Sequence, residues 1–284
     1  MSAPRARRRR PSFVLVTTPI VLAALIGLWK GYVEVFHVSR FILPPPEDVW
    51  SAFVQLVQEG NTWHHARITA YEIAVGFGLA VAVGILLGLV LGKFQKVEQV
   101  ASPFLVALQT TPKVALIPLF LLWFGFGTSP KILTGAIFAF FPITTNNIAG
   151  VRAVDRGHRD VMESLNAGRL QTFRLLDLPS ALPYVLAGME IGIVLATVGA
   201  VVAEYLGGRQ GLGYLAVVSL NQFRVERLFA IVFLLAAMGF AFQRVVVELR
   251  RVLIPWHESA AQTGRAWPAG RVDAGEPDNL TAVP

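Results

Sequence analysis

The chain has no cysteine among its 284 residues, which excludes disulfides and thiolate metal sites. Charge is also scarce. Only 15% of the residues are Asp, Glu, Lys or Arg, where a soluble domain carries about a quarter. These charges are clustered, leaving long neutral runs between them. A glycine-rich phosphate loop with its lysine is missing, so hydrolysis of ATP through that motif is excluded. There is no internal repeat. What fills the chain instead is apolar: 54% hydrophobic residues, with a mean hydropathy of +0.57. A charge at the bilayer centre costs roughly 2.5–3.5 kcal/mol on insertion scales, so such neutral runs fit burial in lipid. The composition is that of an all-α membrane protein.

A crossing helix needs about 20 apolar residues, and six stretches qualify. They are Ser12 to Trp29, Ile73 to Gly92, a span from about Val114 to Phe126, Ile132 to Val151, Pro183 to Tyr205, and Leu228 to about Val247. The third is the least regular. Gln99 to Pro130 is broken only by Lys113 and divided by Pro103, Pro112 and Pro118, so an interfacial or kinked segment over Ser102 to Thr111 is expected before the crossing. Gly84 and Gly88 set a GxxxG spacing that permits close helix approach. The domain expectation is a basic N-terminus over 1–11, a six-span body over 12–257, and a polar, disordered tail over 258–284.

The net charge of +7 and the run Arg7 to Arg10 invite a nucleic-acid reading. That run directly precedes an apolar segment, where basic residues act as a topological anchor, and no nucleic-acid partner is expected. A signal peptide is the other reading of this segment. Its 18 uncharged residues are long for one, and no small-x-small cleavage site stands out before Lys30, so an uncleaved first span is favoured. With six alternating spans and a cytoplasmic N-terminus, Lys93, Lys96, Arg152, Arg156, Arg159, Arg169, Arg174, Arg244, Arg250 and Arg251 all fall inside. The outer segments hold Lys30, Arg40, Arg67, Lys131, Arg209, Arg224 and Arg227. This asymmetry places both termini on the inside.

In the first outer loop, Pro44 to Pro46 precede Glu47 and Asp48, and Val49, Trp50, Phe53, Val54 and Val57 recur at helical spacing. Proline followed by acids marks a helix start, so a short interfacial helix ending at Gly60 is expected. The loop Val151 to Pro183 is too polar to cross lipid and too patterned for a slack linker. Asn166 and Gly168 tolerate left-handed backbone and suit a turn between two short helices. Pro179 and Pro183 are expected to break the chain before the next span.

DVMESLNAGRLQTFRLLDLPSALPYVLAG resembles the cytoplasmic coupling loop of ABC importer permeases, whose pattern is E-A-A, three residues, G, nine residues, I-x-L-P. Leu178 and Pro179 take the L-P positions, Leu176 the isoleucine and Asn166 the glycine. Asp160, Val161 and Met162 take the triplet. Asp for Glu and Asn for Gly depart from the pattern. LQTTPKVALIPLFLLWFGFG, AEYLGGRQGLGYL and LPPPEDVWSAF resemble corresponding parts of nitrate, sulfonate and taurine-type permeases. The resemblance covers roughly Leu43 to Pro255.

It implies a type I importer permease in the bacterial cytoplasmic membrane, carrying a small solute such as a sulfonate, nitrate or taurine. Two permease copies would be served by two ATPase subunits and an extracytoplasmic binding protein. The coupling loop, about 152–182, would seat Asp160, Val161, Met162, Glu163, Asn166, Ala167 and Gly168 against the ATPase.

Bland readings stand beside these. Asp160 and Glu163 either pair with ATPase arginines or solvate an exposed helix. Lys113 either attracts an anionic solute or snorkels to an interface. Glu190 reaches water, contacts substrate or pairs with an arginine of a neighbouring loop. Glu204, before Gly207 and Gly208, either shapes a gate or pairs with a loop arginine. His64 and His65 point to different helix faces and lack a suitably spaced carboxylate, so no metal or other cofactor is expected. A membrane enzyme would need converging catalytic groups, and none are found. A gradient-driven transporter would normally show duplicated halves.

Overall fold

The computed structural model describes residues 13–254, and these are helices joined by turns. The basic N-terminal run and the polar tail lie outside the described residues. In chain order the α-helices are α1 (Phe13–Val35), α2 (Pro46–Gln58), α3 (Gly60–Lys93), α4 (Gln95–Thr110), α5 (Ile117–Phe124), α6 (Ser129–Arg152), α7 (Arg156–Ser164), α8 (Arg169–Thr172), α9 (Leu178–Gly207), α10 (Leu212–Asn221) and α11 (Val225–Leu253). A 3₁₀ turn, Lys113–Leu116, precedes α5, and a π-helical turn, Phe173–Asp177, joins α8 to α9.

Five helical stretches are long and apolar enough to cross a membrane, and the α4–α5 pair, bent by 85°, makes a sixth. At about 1.5 Å per residue the eight residues of α5 reach only about 12 Å, too short to cross alone. The expected third span is therefore a broken pair. Pro112 separates its halves, with the α4 helix ending at Thr110.

Packing shows why the pair counts as one crossing. Successive residues of α3 (Gly76, Gly84, Gly88 and Gly92) meet successive residues of α6 (Ile132, Ile143, Asn147 and Val151), so the two helices run parallel. Parallel helices need the chain between them to return across the layer. Glu98 at the start of α4 pairs with Arg152 at the end of α6, and Leu121 of α5 lies against Gly207 at the far end of α9. The pair thus traverses the bundle. α9 runs antiparallel to α6, with Gly199 against Gly135 and Ala181 against Gly150. α11 returns, with Gly239 beside Thr197 and Arg250 beside Glu190.

Small residues set the close spacing. Gly76, Ala80, Gly84, Gly88 and Gly92 recur every fourth residue on one face of α3, and the GxxxG expectation is met there. A Cβ on Gly76 would lie 2.8 Å from the Ile132 carbonyl oxygen, and one on Gly78 would meet nothing within 4 Å. Backbone cannot swing aside as a side chain can. We expect Gly76→Ala to destabilise by about 1–3 kcal/mol and Gly78→Ala to be neutral or mildly stabilising. Thermal unfolding of the two variants in one detergent checks the contrast.

The interfacial helix forms as α2, with Pro46 in its first turn and Glu47 and Asp48 beside it. It ends at Gln58, and Gly60 opens α3 instead of closing a loop. Leu56 and Ala52 pack with Leu212, Leu215, Ala230 and Ile231 in a core at that end. Lys30 of α1 donates to Glu47, and this bond holds the Glu47 carboxyl below its ordinary value. The expected break at Pro179 and Pro183 is absent: Arg169–Gly207 is one continuous helical stretch. Pro179 falls in the first turn of α9, and Pro183 lies inside that helix. A π-helical turn, Phe173–Asp177, lies just ahead of both prolines.

Candidate functional site

Two regions hold the polar chemistry, one at each end of the bundle. At the α2–α10 end, a polar cluster is buried among α3, α6 and α9. Glu72 of α3 and Lys131 of α6 are 0% and 2% exposed and pair at 2.9 Å. Lys131 Nζ also donates to the Gln210 carbonyl oxygen at 2.9 Å. Glu204 of α9 accepts from Thr69 Oγ1 at 2.7 Å and from the Gly213 N–H at 2.6 Å. The Leu212 N–H donates to Thr69 Oγ1, and the Gly211 N–H to His65 Nδ1, at 2.8 and 2.9 Å.

Three helices thus fasten the turn between α9 and α10. Gly211 enters that turn at φ +111°, a conformation side chains resist. A Cβ there would sit 1.9 Å from Glu204 Oε1. The position needs glycine for both reasons.

Sequence reasoning found Glu204 and missed its partners. Glu72 lies one residue before the second span expected from Ile73 to Gly92 and drew no notice. Lys131, counted among the basic residues of the outer segments, has its ammonium sequestered by Glu72 and Gln210. A loop arginine for Glu204 is also not what the structure gives. The signal available was the pairing rule itself, that intramembrane charges face the bundle interior and find one another.

At the opposite end, α7 and α8 project between α6 and α9. Asp155 caps α7, its Oδ1 accepting from the Gly157 N–H at 2.6 Å. Asn166 takes φ +52° in the turn that follows, as its residue type allows. Gln171 Oε1 accepts from the Gly168 N–H at 2.9 Å and closes the start of α8. Arg159 reaches Asp177 at 3.2 Å, bracing α7 against the root of α9.

Asp160, Val161, Glu163, Asn166 and Gly168 are exposed, and Met162 and Ala167 half-buried. Leu178 is exposed at the first turn of α9 and Pro179 partly buried beside it. Val161, Leu165 and Leu170 present apolar side chains at 56%, 71% and 63% exposure. We expect Asn166→Gly to preserve stability and Asn166→Val to lose roughly 1–2 kcal/mol through the left-handed backbone, read by thermal unfolding.

Lys113 and Glu190 belong to neither cluster. Lys113 Nζ donates to the Gln109 carbonyl oxygen at 2.9 Å and lies 4.9 Å from the Phe141 ring centre, where a cation–π contact forms. Glu190 pairs with Arg250 at 3.0 Å, both about a quarter exposed, so it is tied to α11 and does not simply face water.

Comparison with known proteins places this arrangement. The family described as "Binding-protein-dependent transport system inner membrane component" matches residues 80–253, more than half of the chain. The formylaminopyrimidine transport permease of Halalkalibacterium halodurans is 34% identical over 247 residues, covering 87% of this chain and 98% of that protein. The riboflavin transport system permease of Chloroflexus aurantiacus is 33% identical, covering 90% and 96%. The taurine transport system permease of Escherichia coli is 28% identical, covering 89% and 94%. Among solved structures, an amino acid ABC transporter crystallised with histidines superposes with a TM-score of 0.52 at 18% identity, over 72% of this chain and 92% of that one, a likeness of fold. The fold, the six crossings and these relatives agree, and the chain belongs to the inner-membrane permease family of binding-protein-dependent ABC importers.

Proposed function

We propose that this chain forms, with a second permease copy, the route by which a small solute enters the cell, and that α7 and α8 receive the push from ATPase subunits. One observation carries the reading. A helical hairpin tied to the root of α9 by the Arg159–Asp177 pair exposes acids and apolar side chains at the end that also holds Lys93, Lys96, Arg152, Arg250 and Arg251. An excess of basic residues marks the cytoplasmic side. Both termini would lie on that side. Asp160 and Glu163 would meet basic groups of the ATPase, with Val161 and Leu165 filling a groove. Joined to α6 and α9, the hairpin would pass that push on to both helices, as a lever between two arrangements must.

The opposite end would then face an external binding protein. A polar cavity of about 640 Å³ opens there, lined by Arg40, Asp48, Ser51, Gln55, Arg224 and Glu226. The second copy would cover the apolar side chains that α5 leaves exposed, Leu119, Leu122 and Trp123 among them.

For the solute, the sequence resemblance favours a small anion of the sulfonate, nitrate or taurine kind, and the taurine permease of E. coli supports it. A second reading, a small heterocycle, draws on the pyrimidine and riboflavin permeases, which are as similar to this chain as a sulfonates permease is. The test is uptake by vesicles holding the permease, its ATPase and its binding protein. ATP-driven accumulation of labelled taurine or of a labelled aminopyrimidine decides between the two, and accumulation that ignores ATP refutes the importer reading.

A further inference from the structure

Among the described residues, three other than glycine hold left-handed backbone: His37 at φ +49°, Asn166 at +52° and Phe223 at +56°. Asn and His are residue types that accept this conformation, and a bulky aromatic is not. Phe223 stands in the turn between α10 and α11. Its N–H donates to the Leu220 carbonyl oxygen at 3.0 Å, and the Arg224 N–H donates to that of Ser219 at 2.9 Å. This pair of bonds closes a helix C-terminus around one left-handed residue, a place that glycine fills at least cost. Burying the ring would offset the cost, yet Phe223 is 73% exposed. Neither backbone nor packing within this chain accounts for a phenylalanine here.

Its neighbour Arg224 is an exposed cation on the wall of the outer polar cavity. The other arginines of that cavity are tied off, Arg40 by Asp48 at 3.3 Å and Arg227 by Glu59 at 2.6 Å. Glu226 is half-buried in the first turn of α11, where a helix N-terminus favours negative charge. Arg224 pairs with no acid among the described residues. Phe41, 70% exposed, lines the same cavity.

We infer, on the importer reading above, that the α10–α11 turn anchors the extracytoplasmic binding protein. The Phe223 ring enters an apolar recess of that partner, and Arg224 meets a carboxylate on the rim of the recess. Aromatic rings and arginine are the residue types that dominate the energy of protein interfaces. A ring fixed on a hydrogen-bonded turn loses little freedom on binding, which gives the left-handed strain a use. The bilayer interface is the other surface that takes aromatic rings. Here Asn221, Gln222 and Arg224 flank the ring with polar groups and a polar cavity opens beside it, surroundings that fit a protein partner better than lipid.

The permease–ATPase complex in nanodiscs, titrated with the binding protein that serves it in the vesicle assay, reports docking as stimulated ATP hydrolysis. Phe223→Gly is expected to melt at or above the native temperature, because glycine suits the turn. It should need about tenfold more binding protein for half-maximal stimulation, at an unchanged maximal rate. Arg224→Gln should raise the half-saturating concentration less and weaken its dependence on salt. Half-saturation unmoved in Phe223→Gly overturns the proposal, and a lowered melting temperature alongside it assigns the ring to the bilayer instead. A native complex whose hydrolysis ignores the binding protein overturns the importer reading as well, so the two failures are told apart.

Discussion

Lys131→Met is expected to leave little folded permease in mild detergent, with a loss of about 3–5 kcal/mol, the cost of breaking one side of a buried ion pair. The ammonium is 2% exposed and serves two acceptors, Glu72 Oε1 and the Gln210 carbonyl oxygen. Methionine fills the volume and supplies no charge. The buried acids are then left with a negative charge and no counterion, and the turn before α10 loses a tie. Because the cost lies in the unbalanced charge, a second substitution that removes it should recover part of the loss. Lys131→Met combined with Glu204→Gln is expected to melt higher than Lys131→Met alone, even though it discards a further ionic group. Thermal unfolding and the fraction of monodisperse protein check both statements. A single variant that melts with the native protein would mean the site admits water.

Asp160→Lys is expected to abolish ATP-driven uptake while leaving insertion and stability intact. Asp160 is exposed on α7, and surface substitutions away from special features usually change stability within about 0.5 kcal/mol. At a docking surface the same change sets like charges together, which costs several kcal/mol. The two effects separate cleanly: melting temperature unchanged, uptake by reconstituted vesicles lost. Asp160→Asn, which removes attraction without adding repulsion, should fall between. Normal uptake by Asp160→Lys would remove this residue from the coupling surface.

The spans were legible because the apolar runs are long and a charge inside one is expensive. α2 was legible from its proline and acids, and the α7–α8 turn from Asn166, whose side chain tolerates the φ of +52° it adopts. Two features escaped for physical reasons. Prolines suggested breaks near Pro179 and Pro183, yet the helix runs on through both, with Pro179 in the first turn of α9, Pro183 inside it and a π-helical turn at Phe173–Asp177 just ahead. The Glu72–Lys131 pair joins residues 59 apart. Nothing local distinguishes Lys131 from a basic residue flanking a span, because its partner becomes adjacent only when α3 and α6 pack in parallel. The same parallel packing turns α4 and α5, ambiguous as separate segments, into one bent crossing.

The native chain contains no cysteine, so one cysteine at exposed Val161 gives a clean reporter for the coupling surface. An impermeant maleimide is expected to label it in inside-out vesicles and not in right-side-out ones, and added ATPase subunits should protect it. Labelling from the external side, or no protection by the ATPase, would contradict both the orientation and the coupling role.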